Sequence, residues 1–114
     1  MTAEDRPAAA SFPEKFAALA QAWRAQLPQR LHEAQHRLQA LRADPSDGAS
    51  LQELHRILHT LAGSAGTFGM PDVSIAAKAA EHECDRLMDS PHRAAGDFED
   101  VTGLVDALVR ATEA

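Results

Sequence analysis

The stretch SLQELHRILHTLAGSAGTFGMP, residues 50–71, decides the fold. Leu51, Leu54, Leu58, Leu61, Ala65 and Phe68 recur at intervals of three and four, which is one buried stripe of an amphipathic helix. The helix is predicted to start near Ser50, with Glu53 in position to complete a capping box. Gly69-Met70-Pro71 breaks it. Gly63 and Gly66 are out of character in such a run, because a helix-interior glycine costs roughly 1 kcal/mol relative to alanine. Both lie within two turns of His59.

The same periodicity extends in both directions. Downstream, Val73, Ala76, Ala77, Ala80, Cys84, Leu87 and Met88 form another stripe, which Ser90-Pro91 closes. A last helix is predicted through Phe98, Val101, Val105, Leu108 and Val109. Upstream, Asp44-Pro45-Ser46-Asp47-Gly48 is a turn, preceded by the stripe Leu31, Ala34, Leu38 and Leu41. Before that come Phe16, Ala20, Trp23 and Leu27, in a helix opened by Ser11 as N-cap, Pro13 in its first turn and Glu14. Pro28 disfavours the helical conformation of Leu27 and removes a backbone donor, so a kink or short break is expected there. Residues 1–10 read as a flexible lead-in and residues 11–114 as a single domain. The architecture expected is all-α, an antiparallel four-helix bundle with an additional N-terminal helix.

Composition agrees with this and narrows the function. The 114 residues are rich in helix formers and hold one Trp, four Phe and no Tyr, with few β-branched residues for strands. The net charge of −6 argues against a nucleic-acid partner. The sequence shows neither a signal peptide nor an apolar run long enough for a membrane span, so the expected location is the cytoplasm. The single cysteine, Cys84, fits a reducing compartment and falls in a core stripe.

At about 100° per residue, His59 lies roughly 140° from the centre of the apolar stripe and faces outward. Gln52, His55, Ala62, Gly63 and Gly66 share that side. The small residues clear space for another macromolecule to approach the ring. On the following helix, Lys78, Glu81 and Asp85 form a stripe beside the buried face, and an antiparallel hairpin would bring that stripe alongside His59. A carboxylate on one imidazole nitrogen fixes the tautomer and leaves the other nitrogen as a nucleophile.

The segment HTLAGSAGTFG, with its flanking helices, resembles the signature of histidine-containing phosphotransfer (HPt) domains, commonly written H-x-L-K-G-S-x-x-x-x-G. His59, Leu61, Gly63, Ser64 and Gly69 stand at the family positions, and the resemblance runs from about Phe16 to Leu108. It implies that His59 is a phosphoacceptor and that Glu81 orients it. It also implies a docking face that takes in His55, Ala62, Gly63, Ser64 and Gly66, and a structural turn at Gly69. The implied partners are a response-regulator receiver domain or a histidine kinase, with Mg²⁺ on the receiver and no cofactor on this chain, which is expected to be a monomer. One position departs from the pattern: Ala62 stands where the family usually has Lys. Lys78, one turn before Glu81, is the candidate replacement as phosphate stabiliser.

Three function classes follow. The first is a phosphoryl carrier, not a kinase, since GSAGTFGM lacks the Lys-Ser/Thr of a P-loop. The second is a degenerate module that binds a receiver or kinase without carrying phosphate, a reading that Ala62 brings forward. The third is a metal-binding bundle, suggested by the i, i+4 pairs His32/His36 and His55/His59. Only one Glu-x-x-His motif, Glu33 to His36, is present where a di-metal bundle needs two, so no metal is assigned.

Overall fold

The computed structural model describes residues 11–113, and the expected lead-in at residues 1–10 lies outside them. Four helices follow one another: α1 (Phe12–Ala43), α2 (Gly48–Ala65), α3 (Pro71–Met88) and α4 (Glu99–Glu113). A single 3₁₀ turn, Ala95–Phe98, leads into α4. No strand occurs among the described residues. The chain is the all-α four-helix bundle that its stripes imply.

The N-terminal helix is present, but it is not separate. It runs through Pro28 without a break into the next stripe, as one 32-residue helix. Pro28 is exposed, and its cost is confined to one lost backbone bond and local crowding. Leu27 and Leu31, on either side of it, are 5% and 7% exposed, and their burial holds the helix in register across the proline. At 1.5 Å per residue α1 is about 48 Å long, against about 27 Å for the 18-residue α2 and α3. The start of α1 is fastened at the far end of α2. Trp23 and Phe16 each pack on Phe68 with ring centroids 5.7 Å apart, and Arg24 Nη2 donates to the Phe68 carbonyl at 3.0 Å.

Caps follow local chemistry. Ser11 accepts from the Glu14 N–H at 3.3 Å, with Pro13 in the first turn as expected. The start of α2 differs from expectation: its N-cap is Asp47, not Ser50. Asp47 accepts from the Ser50 backbone N–H at 3.0 Å and from Ser50 Oγ at 2.7 Å, and Glu53 instead pairs with Arg56. This satisfies Ser50, the one buried polar residue among the described residues.

The core is built from the stripes. Leu51, Leu54, Leu58, Leu61 and Ala65 of α2 are buried with Val73, Ala77, Ala80, Cys84 and Leu87 of α3, Leu31, Ala34, Leu38 and Leu41 of α1, and Phe98, Val101, Val105 and Leu108. Ile57 joins them, because α2 packs on both α1 and α3 and buries a wider face than one stripe. Met88, expected in the core, is 38% exposed at the end of α3. Arg93 ties the two loops at the other end of the bundle, donating to the carbonyls of Pro45, Leu87 and Ser90.

The α2–α3 connection places the site. Beyond Ala65 the last turn closes with Met70 N–H donating to the Ala65 carbonyl at 2.8 Å and Gly69 N–H to the Gly66 carbonyl at 3.3 Å. That pair of bonds is a Schellman motif with Gly69 in the left-handed conformation, φ +83°. Gly69 is the helix-ending glycine, and Pro71 opens α3 immediately after it.

Candidate functional site

The hairpin register can be read from side chains. His59 of α2 faces Glu81 of α3, and His55, one turn earlier on α2, faces Asp85, one turn later on α3. Opposed steps of four on the two helices are the mark of antiparallel packing. Ser74 adds a third rung, its Oγ donating to the Ala62 carbonyl at 2.6 Å.

The His59 side chain is 71% exposed, and that of Glu81 only 14%. Their Nδ1 and Oε1 atoms are 2.7 Å apart. A carboxylate offers only acceptors, so Nδ1–H donates and Nε2 carries the lone pair. The nitrogen left over is on the exposed ring. This geometry suits a nucleophile: one edge is held by a mostly buried carboxylate, and the other is open to a large partner.

Around the ring lies a shallow depression of about 220 Å³, lined by His59, Ala62, Gly63, Ser74, Lys78 and Glu81. Lys78 is exposed and has no carboxylate within 4.0 Å among the described residues, so its ammonium is available to an incoming anion. A Cβ built on Gly63 would meet nothing within 4 Å. Packing therefore does not require glycine there, and what its absent side chain leaves open is the approach to His59. Gly66 is different: a Cβ there would touch Ser74 at 3.8 Å, an ordinary contact, and the residue does not line the depression.

The remaining expected site residues are spread more widely. His55 is one turn away, 27% exposed, and engages Asp85 Oδ1 at 2.7 Å through Nε2. Its ring is nearly parallel to that of His59, with 6.2 Å between centroids. Ser64 is half-buried outside the depression, where its backbone carbonyl accepts from the Phe68 N–H. One residue was not singled out by sequence, Ser74, which ties α3 to α2 beside Ala62, and Asp85, expected in the stripe beside His59, pairs instead with His55. The signal for Asp85 was the i, i+4 spacing from Glu81, while a lone serine at position 74 gave none. A larger depression of about 470 Å³, lined by Leu27, Leu31, Met70 and Val109 among others, holds one hydroxyl, Thr112, which is spent on the Val109 carbonyl at 2.7 Å. Chemistry rather than volume selects the His59 face.

The family model described as Hpt domain matches residues 9–113, nearly the whole chain. No curated protein and no solved structure gives a match. The chain belongs to the Hpt domain family, whose members serve histidine phosphotransfer in phosphorelays. No helix of the described residues is long and apolar enough to cross a membrane.

Proposed function

We propose that this protein is a phosphoryl carrier that accepts phosphate on His59 from a receiver-domain phospho-aspartate, or from a histidine kinase, and passes it on. The observation that carries the reading is the His59–Glu81 hydrogen bond, 2.7 Å, across two helices with the ring exposed. In the forward step Nε2 of His59 attacks phosphorus in line. The N–P bond forms as the P–O bond to the donor aspartate breaks, and the aspartate leaves as a carboxylate. The imidazole becomes positively charged, and Glu81, on the Nδ1–H, stabilises that charge. Lys78 offsets the charge of the phosphoryl oxygens, the role Ala62 cannot fill. Mg²⁺ and the acidic pocket belong to the receiver, and the carrier contributes position and electrostatics. Gly63 and Ala62 let the receiver approach closely.

The second reading, a module that docks without carrying phosphate, is favoured by Ala62 alone. Mixing the protein with a phosphorylated receiver domain and Mg²⁺ separates the two. One added phosphate by intact mass, absent in His59→Gln, establishes the carrier. Binding without added mass, across several receivers, establishes the docking module.

A further inference from the structure

Three metal-ligating groups converge beside the proposed phosphoacceptor. His55 Nε2 lies 2.7 Å from Asp85 Oδ1 and 4.0 Å from Glu81 Oε1, and all three donor atoms lie within 4.8 Å of one another. They come from two helices of the packed hairpin, so backbone packing fixes their spacing. Glu81 and Asp85 are like charges at i, i+4 on α3, a repulsive arrangement. Neither has a Lys or Arg within 4.0 Å among the described residues; the basic groups within that distance are histidines.

We propose that His55, Glu81 and Asp85 form a binding site for a zinc-class divalent metal, and that the metal competes with His59 for Glu81. One imidazole and two carboxylates form a donor set such metals accept, and the two carboxylate charges match the cation. Zinc bonds of about 2.0–2.1 Å place tetrahedral donors roughly 3.3 Å apart, between the 2.7 and 4.0 Å separations observed here. Water fills the fourth position. The i, i+4 pair His55/His59 that the sequence offers is not the site, because the two rings turn different edges to different carboxylates. Competition arises at one atom. Glu81 Oε1 is the oxygen that faces both His59 Nδ1 and His55 Nε2. Its use by a metal withdraws it from His59. The consequence for phosphotransfer, a slower carrier when metal is bound, rests on the function proposed above, whereas the binding does not.

Isothermal titration of the purified protein with zinc chloride at neutral pH tests this independently of phosphotransfer. The expected result is saturable binding of one zinc per chain, weakened about tenfold or more in His55→Gln and in Asp85→Asn. His59→Gln is expected to bind zinc at least as tightly as the parent, because it removes a competitor and not a ligand. Circular dichroism of each variant confirms that the helices are retained. Absence of saturable binding below about 1 mM zinc overturns the proposal. So does binding indifferent to His55 and Asp85, or a loss in His59→Gln as large as in Asp85→Asn, which would place the metal on the histidine pair.

Discussion

Glu81 holds the Nδ1 edge of His59 from the neighbouring helix, at 2.7 Å, while 71% of the histidine side chain stays exposed. Ring orientation, tautomer and access are set by one contact across the α2–α3 hairpin. Replacing Glu81 with Gln keeps an acceptor for Nδ1–H but removes the charge that balances a phosphorylated imidazolium. A charge-assisted bond exceeds a neutral one by about 1 kcal/mol or more, so transfer to His59 should slow about tenfold. Rapid-quench measurement of phosphate arrival, with folding checked by circular dichroism, gives the value. An unchanged rate would remove Glu81 from the mechanism.

Lys78 is the cation nearest to hand in the depression, and Ala62 leaves a gap opposite it. Lys78→Ala should slow transfer about three- to tenfold, the range of a partly screened surface charge, and flatten its dependence on ionic strength. Adding Ala62→Lys to that variant should restore the rate. Rates at low and high salt for the single and double variants check both points, and a Lys78→Ala protein at full speed would contradict them.

Gly63, inside α2, and Gly69, at the turn, should behave oppositely. Gly63→Ala meets no atom within 4 Å and fills a helix interior, so thermal or urea unfolding should show stabilisation of about 0.5–1 kcal/mol. Transfer from a receiver should slow, because the new methyl stands beside His59. Gly69→Ala forces φ +83° on a residue with a Cβ and should destabilise by about 1–2 kcal/mol. Its Cβ would also meet Arg24 Nη2 at 3.2 Å, the flexible end of a side chain that can yield.

Cys84 is fully buried among apolar groups, and burial, with Asp85, Glu83 and Glu81 nearby, pushes its thiol from 9.0 up to about 12. The folded state therefore keeps the proton to higher pH than the unfolded chain. Where the unfolded thiol ionises and the folded one does not, folding loses stability as pH rises, here from about pH 9 to 12. The loss should be smaller in Cys84→Ala than in the parent. Near pH 8 a thiol reagent should label Cys84 only as fast as the protein unfolds.

The fold was legible where the buried residues kept to one apolar stripe, as in α3 and α4. It was less legible where tertiary burial overrode a local signal. Pro28 reads as a break, but Leu27 and Leu31 anchor the helix on both sides of it. Ser50 and Asp47 are both good caps three residues apart, and the earlier one wins because Ser50 can then be buried against it. Ile57 lies off the stripe of α2 and is buried because that helix has two neighbours. At the site, helical angles placed His59 outward and Glu81 toward it. The Ser74–Ala62 rung depends on how closely the two helices approach, which spacing does not encode.

On the proposed function, Glu81 on Nδ1 leaves Nε2 of His59 as the atom that takes phosphate. The most direct measurement is a nitrogen–phosphorus NMR correlation on protein labelled with ¹⁵N-histidine and phosphorylated by its receiver. Phosphorus bonded to Nε2 of His59, and to no other histidine, is the expected result. Phosphorus on Nδ1, or on a different histidine, would contradict it.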